Sequence, residues 1–179
     1  QYISSQGCPY KCTFCVEPKV FGAWKARNGA KIVDELAELD RRYHLEHVSF
    51  ADANFMYDRR RVEIMCNGLL ERPLKITWSG TARADQAVKI EPEMSRLMSR
   101  SGCSQIAIGI ESGSQAILDL IDKRTSREKA IKSNRILEEA GIQGVYAFMV
   151  GFPQELVEAK DEIWQTLMLI KAMRKGFAR

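Results

Sequence analysis

Short apolar segments alternate with amphipathic helical segments along this 179-residue chain, and this alternation constrains the fold more than any other feature. The repeat of about thirty residues is the length of a βαβ unit. Five strands are predicted, at residues 2–5, 47–51, 75–81, 105–110 and 144–150. Short apolar runs are typical of buried parallel strands. The sequence therefore predicts an α/β fold of about five βα units, curled into a partial (β/α) barrel of TIM type.

The helices between these strands are predicted from apolar residues at spacings of three and four. Residues 32–43 and 62–70 carry such stripes, and Pro92 suits the first turn of a third helix. The run from Thr125 to Glu128 has the pattern of a capping box. In the last helix, Ile163, Leu167 and Ile170 form the expected core-facing stripe.

Polar residues follow the predicted strands at their carboxyl ends. They are Asp52 and Asn54, Arg83 and Asp85, Glu111 and Ser112, and the run Gly151-Phe152-Pro153-Gln154. Ligands of parallel α/β folds bind at that edge of the sheet. The sequence therefore predicts one binding site there.

Three cysteines at spacings of four and three, Cys8, Cys12 and Cys15, follow the first predicted strand. An ordinary 4Fe-4S cluster uses four cysteines, so three thiolates would leave one iron open to a ligand. A disulfide needs an oxidising compartment, and a structural zinc site needs a fourth donor. The nearest further donors, His44, His47 and Cys66, lie far along the chain, so these two alternatives are disfavoured.

Composition and charge limit the classes of partner and the cellular compartment that can be expected. The net charge of +4 hints at an anionic partner, but Lys and Arg on outer helix faces explain it as well. Because no cluster of exposed aromatic residues accompanies the charge, a nucleic-acid partner is not expected. No apolar run approaches the roughly 20 residues of a membrane span. Five cysteines without an export signal favour a cytoplasmic protein.

The cysteine loop, with Phe14 before its last cysteine, resembles the signature of radical S-adenosylmethionine (SAM) enzymes. The motifs at residues 109–114 and 148–153 resemble the branch that contains cobalamin-associated methylases, anaerobic ring cyclases and methylthiotransferases. The resemblance covers nearly the whole chain and implies a radical SAM core of six units. Residues 1–179 are therefore expected to be a single-domain fragment without the sixth strand, which leaves an apolar edge on the fifth.

The resemblance implies a 4Fe-4S cluster held by the three cysteines, with SAM bound to the open iron. Cobalamin is implied as a further cofactor, held by a domain that often precedes the loop and that is not expected within these residues. The predicted SAM contacts are Tyr10, Phe14, Ala51, Asp52, Ala53, Arg83, Glu111, Ser112, Val150 and Gly151.

Each SAM contact has an implied role. Backbone groups at residues 51–53 would accept hydrogen bonds from the SAM amino group, and Arg83 would bind its carboxylate. Glu111 and Ser112 would bind the ribose hydroxyls, and Phe14 would flank the adenine together with the backbone at residues 150–151. Two simpler interpretations stay open: Arg83 and Glu111 pair with each other, or Asp52 caps a local turn.

The implied activity is reductive cleavage of SAM to a 5′-deoxyadenosyl radical, with flavodoxin or ferredoxin as the electron donor. The first expectation for the reaction is methylation or cyclisation of an organic substrate in a cobalamin-associated enzyme. The alternatives are a tRNA-modifying methylthiotransferase, an electron-transfer protein, and a truncated, non-catalytic iron–sulfur scaffold. An electron-transfer protein would require a fourth cysteine ligand.

Overall fold

The computed structural model of the protein describes residues 1–72, 74–153 and 159–174. Its strands are β1 (Ser5–Gln6), β2 (Lys25–Ala26), β3 (His47–Ser49), β4 (Thr77–Arg83), β5 (Cys103–Glu111) and β6 (Gln143–Phe148). The last four form one parallel sheet in the order β3-β4-β5-β6, and β1 pairs with β2 in a small antiparallel sheet. The predicted α/β fold with parallel strands is thereby confirmed.

Helices connect the strands of the main sheet, as parallel pairing requires. The α-helices of the described residues are α1 (Glu17–Val20), α2 (Gly29–Tyr43), α3 (Arg59–Glu71), α4 (Ala84–Ala87), α5 (Pro92–Arg100), α6 (Gln115–Leu120), α7 (Arg127–Glu139) and α8 (Ala159–Arg174). Of these, α3 to α7 lie between strands of the main sheet. None of the helices in the described ranges is long and apolar enough to cross a bilayer.

Helix α7 begins one residue later than the predicted capping box. Ser126, in an extended conformation, is the N-cap, and its side chain accepts a hydrogen bond from the backbone N–H of Lys129. The predicted capping box is therefore wrong, because it required Thr125 as the N-cap and Glu128 as the third helical residue. With Ser126 as the N-cap, the third helical residue is Lys129, and the cap is a single side-chain hydrogen bond.

The predicted first strand is reduced to a single bridge. Tyr2 pairs in parallel with Phe50, but Ser5–Gln6 turns away and pairs with β2. Where the segment leaves β3, the Ser4 backbone N–H donates to Asp52 Oδ1 at 2.7 Å and not to a neighbouring strand.

The two faces of the main sheet differ in side-chain size. On the helix-covered face, Trp78, Ile106, Ile108 and Ile110 are at most 1% exposed. The indole Nε1 of Trp78 donates to the Ser101 carbonyl at 3.1 Å, so the polar group of this buried tryptophan has a partner. The opposite face carries mostly small residues, since successive side chains of a strand alternate between faces. They include Ser79, Thr81, Ala107, Gly109, Val145 and Ala147.

The predicted core stripe of α8 is wrong. Ile163 and Leu167 are 42% and 52% exposed, whereas Leu169 and Met173 are buried. The helix carries apolar residues around most of its circumference, so its sequence pattern does not identify the buried face. Within the described residues β6 pairs with β5 alone and forms an edge. Gln154, predicted among the polar residues after the last strand, lies outside the described part of the chain.

Candidate active site

The three predicted cluster ligands lie on one loop between β1 and α1 and face one cavity. Cys8, Cys12 and Cys15 all line this cavity, whose volume is about 330 Å³. Cys12 is buried and the other two are half-buried, and all three are free thiols. Burial raises the pKa of the Cys8 thiol. The volume falls in the usual range for small-molecule sites, roughly 300–1,000 Å³.

The cysteine loop is fixed by a hydrogen bond within the loop and by another to the end of α6. The Cys15 backbone N–H donates to the Cys12 carbonyl at 3.1 Å, which closes a turn. The Thr13 backbone N–H donates to the Ile121 carbonyl at 3.0 Å, which fixes the loop to the end of α6. At its start, Gly7 has a φ of +77° and lies so close to backbone that a Cβ would be 2.8 Å from the Ala23 carbonyl oxygen. Glycine is required there.

The donor set fits a cubane cluster. Among the described residues no three His, Cys, Asp or Glu side chains converge closely enough to bind one metal ion. Cys8, Cys12 and Cys15 are three thiols around one cavity, and three thiolates can hold a cubane with one iron left open. A closed structural zinc site would need a fourth donor.

The cavity wall opposite the cysteines is formed by the carboxyl ends of the parallel strands. The wall residues from the sheet and its loops are Ala53, Asn54, Thr81, Arg83, Ala107, Ile108, Gly109, Glu111, Lys123, Val145, Tyr146 and Ala147. The structure thus brings together the predicted residues Tyr10, Phe14, Ala53, Arg83 and Glu111. Because the floor of the cavity consists mainly of small residues, a flat ligand could lie directly on the sheet.

Arg83 is buried at the end of β4 and has several protein partners. Its Nε donates to Asp85 Oδ1 at 2.9 Å, and its Nη2 donates to the Lys123 carbonyl. Its Nη1 lies 3.2 Å from Cys12 Sγ, and its guanidinium lies 3.8 Å from the centre of the Tyr10 ring. The simpler interpretation, an Arg83–Glu111 pair, does not describe this geometry, because Asp85 is the ionic partner of Arg83.

Glu111 ends β5 and pairs with a residue that sequence analysis missed. Its Oε1 accepts a hydrogen bond from Lys123 Nζ at 2.6 Å, and both side chains are less than one-tenth exposed. Glu111 has a φ of +71°, an uncommon conformation for a residue other than glycine, next to an irregularity in the β5–β6 register. Lys123 escaped prediction because it lies in the α6–α7 connection and not after a strand.

The side chain of Asp52 points towards the amino-terminal segment. Its carboxylate accepts hydrogen bonds from the hydroxyls of Ser4 and Ser5, each at 2.6 Å, and lies 3.4 Å from Arg61 Nη2. Its backbone carbonyl accepts the Thr81 hydroxyl at 2.8 Å. The interpretation of Asp52 as the cap of a local turn is wrong, because its carboxylate binds residues from distant parts of the chain. It connects the amino-terminal segment to α3.

The residues next to Asp52 differ in position. Ala53 lines the cavity, whereas Ala51 is exposed and donates its backbone N–H to the Tyr2 carbonyl. Asn54, which is 1% exposed at the cavity wall, has no partner for either amide atom within the described residues. Leaving a buried amide unpaired costs about 1–3 kcal/mol. Asn54 was noted as a polar residue after the strand but was not among the predicted SAM contacts.

The remaining predicted contacts lie outside the cavity. Ser112 is fully buried, and its hydroxyl accepts the Ser114 backbone N–H at 3.1 Å and lies 3.4 Å from the Thr166 hydroxyl. Val150 and Gly151 are exposed beyond the end of β6. The SAM contacts of all ten predicted residues, including those that line the cavity, stay predictions.

A partial parallel barrel with a three-cysteine loop at the carboxyl ends of its strands defines a recognisable class of α/β protein. The profile of the Radical SAM superfamily matches residues 2–168. The chain belongs to the radical SAM superfamily, as the cysteine motif predicted.

Curated relatives agree with the predicted branch. The chain is 25% identical over 178 residues to an uncharacterized methyltransferase of Pyrococcus horikoshii, covering 99% of this chain and 38% of that protein. It is 26% identical over 161 residues to the anaerobic magnesium-protoporphyrin IX monomethyl ester cyclase of Rubrivivax gelatinosus, covering 90% of this chain and 29% of the cyclase. The chain thus spans about a third of the length of these relatives.

Among solved structures, the fold resembles the cobalamin-dependent S-adenosylmethionine radical enzyme OxsB with aqua-cobalamin and S-adenosylmethionine bound. The TM-score is 0.82 at 26% identity, over 94% of this chain and 26% of that one. This likeness confirms the predicted partial barrel of the radical SAM type.

Proposed function

We propose that this chain is the radical-generating core of a cobalamin-associated enzyme that methylates or cyclises an organic substrate. The observation that carries the proposal is the convergence of Cys8, Cys12, Cys15 and Glu111 on one cavity at the carboxyl edge of the sheet. The similarity to a methyltransferase and to a cyclase supports the reaction class. The organic substrate and the electron donor, flavodoxin or ferredoxin, are expected from the family resemblance.

In this proposal Cys8, Cys12 and Cys15 would hold a 4Fe-4S cluster, which when bound would supply the electron for reductive cleavage of SAM to methionine and a 5′-deoxyadenosyl radical. Glu111 accepts hydrogen bonds from ribose hydroxyls, and Lys123 fixes the orientation of that carboxylate at 2.6 Å. The small residues Ala107 and Gly109 leave room for the nucleoside on the sheet. The protein thereby orients the cofactors and excludes water from them.

The proposal is tested by anaerobic reconstitution with iron and sulfide, followed by reduction with dithionite in the presence of SAM. We expect about four irons per chain, an electron paramagnetic resonance (EPR) signal, and release of methionine and 5′-deoxyadenosine. The variant Cys12→Ala should lose the cluster. Cys66→Ala is the matched control, because Cys66 is a buried free thiol that packs in the core on α3.

Two results would overturn the proposal. A Cys12→Ala protein with full iron, sulfide and SAM cleavage would show that the loop does not bind the cluster. A wild-type chain that binds cluster and SAM but releases no products would instead favour the non-catalytic scaffold.

A further inference from the structure

We propose that Arg83 acts on the cluster and not on the SAM carboxylate: its guanidinium donates a hydrogen bond to the Cys12 thiolate and raises the reduction potential of the cluster. This inference rests on the proposed function, because it requires Cys12 to be a cluster ligand. Arg83 Nη1 lies 3.2 Å from Cys12 Sγ, within hydrogen-bonding distance of sulfur.

The guanidinium is anchored on several sides. Asp85 accepts its Nε–H at 2.9 Å, the Lys123 carbonyl accepts from Nη2, and the Tyr10 ring covers one face at 3.8 Å. The side chain is only 7% exposed. These contacts leave Nη1 directed at the sulfur of Cys12, so the hydrogen bond to sulfur is part of a fixed arrangement.

A contact between Arg83 and the carboxylate of SAM would have to compete with these partners. A bidentate contact uses two parallel N–H groups of the guanidinium. Here Nε and Nη2 are occupied by Asp85 and by a backbone carbonyl, and Nη1 is directed at Cys12. Freeing two of them would leave buried acceptors without donors. By contrast, the Asn54 amide lies at the cavity wall with both polar atoms unpaired in the described residues.

A fixed cation beside a ligating sulfur has a definite electrochemical effect. One-electron reduction makes the cluster more negative, and a hydrogen bond to a cluster sulfur is one of the factors that set its potential. Arginine keeps its charge at any working pH, so the effect is constant. Asp85 offsets part of this charge, but the hydrogen bond to Cys12 lies in a buried site, where solvent screens it little. Removing Arg83 should therefore disfavour the reduced state.

The test compares wild type with Arg83→Met after reconstitution of the full chain. The midpoint potential is measured by dithionite titration followed by EPR without SAM, and SAM affinity is measured by equilibrium dialysis with the oxidised protein. At a fixed potential near the wild-type midpoint, we expect at least a tenfold lower ratio of reduced to oxidised cluster. For a one-electron couple this corresponds to a shift of about 59 mV. SAM affinity should change less than threefold.

Arg124→Met is the matched control. It removes the same charge from a nearby side chain that is 71% exposed and pairs with Asp122. Because solvent screens an exposed charge, we expect its cluster potential to change much less than that of Arg83→Met. An equal shift in both variants would attribute the effect to net charge and overturn the role of the hydrogen bond.

The other outcomes are equally decisive. An unchanged potential in Arg83→Met overturns the proposal, and so does a loss of SAM affinity of more than tenfold, which would assign Arg83 to the carboxylate. If Arg83→Met assembles no cluster, Arg83→Lys is judged on the same two measurements, with an expected decrease of at least threefold in the reduced-to-oxidised ratio. A wild-type chain that assembles no cluster overturns the proposed function itself, and this inference with it.

Discussion

The ammonium group of Lys123 and the carboxylate of Glu111 form a buried ion pair, with 2.6 Å between Nζ and Oε1. The pair lies at the cavity wall and joins the end of β5 to the α6–α7 connection. A buried pair is costly to break by removal of one partner, because the other charge is left uncompensated. The contact therefore couples the stability of this part of the fold to the geometry of the site.

Lys123→Met should lower both stability and SAM affinity. We expect the free energy of unfolding to fall by about 3–5 kcal/mol, as for other broken buried pairs. SAM affinity should fall at least tenfold, because the Glu111 carboxylate loses the group that orients it. Chemical denaturation and equilibrium dialysis measure the two effects. Lys132→Met, on an exposed position of α7, is the control and should match wild type in both.

Gly109→Ala should disturb the same pair by steric overlap. A Cβ at this position would overlap Glu111 Oε1 and would lie 3.0 Å from Lys123 Nζ. Because the added methyl group also occupies the cavity floor, we expect SAM affinity to fall by tenfold or more. The measurement is equilibrium dialysis. Ser104→Ala, on an exposed position of the same strand, serves as the control, and equal affinities of the two variants would contradict the prediction.

The buried Arg61–Asp52 pair should be a main determinant of stability. Arg61 Nη1 also donates to the Ser4 hydroxyl at 2.8 Å, and Nη2 donates to the Phe55 carbonyl at 2.9 Å. Arg61→Met leaves the Asp52 carboxylate buried with only its serine donors, so the free energy of unfolding should fall by about 3–5 kcal/mol. Denaturant unfolding measures it.

The control for Arg61→Met is Arg60→Met, which changes the exposed neighbour on α3. Surface substitutions usually change stability by less than about 0.5 kcal/mol. A similar loss of unfolding free energy in both variants would show that the buried pair contributes no more to stability than an exposed arginine does.

The Tyr2–Glu35 hydrogen bond should make stability depend on pH. The Tyr2 hydroxyl donates to the Glu35 carboxylate, and this bond lowers the pKa of Glu35 from its ordinary value of 4.5. A carboxyl group with a lowered folded-state pKa contributes stability above its unfolded pKa, and the contribution is lost as the pH falls through the folded pKa.

Tyr2→Phe should therefore be less stable than wild type at neutral pH, and the difference should shrink in acid. The difference in unfolding free energy is measured by urea denaturation at several pH values, from neutral to well below 4.5. Tyr43→Phe, at a position 67% exposed, is the control and should show no such trend. A difference between Tyr2→Phe and wild type that stays constant with pH would contradict the assignment.

Sequence periodicity predicted the buried face of α2, because Ile32 and Leu36 lie on one clear apolar stripe. It failed for α8, where Leu169 and Leu167 lie on faces of similar hydrophobicity and only the tertiary partner decides which is buried. Position relative to strands likewise predicted that Glu111 lies at the cavity.

That same reasoning could not find Lys123, because its approach depends on how the α6–α7 connection folds back over the sheet. It also could not find the direction of the Asp52 side chain. Asp52 is adjacent in sequence to the cavity residue Ala53, but its partners Ser4 and Arg61 come from distant segments. Local patterns give the position of a residue along an element, whereas a long-range hydrogen bond selects which way its side chain turns.

The anchors on either side of the cysteine loop have a consequence for maturation. Asp52 binds Ser4 and Ser5 before the loop, and the Ile121 carbonyl binds Thr13 within it. Ordering a backbone costs roughly 1–2 kcal/mol per residue in conformational entropy. Because these anchors order the loop when the chain folds, little of that cost is left for the moment when iron and sulfide arrive. The cysteine loop of the apoprotein should therefore already have nearly the conformation that binds the cluster.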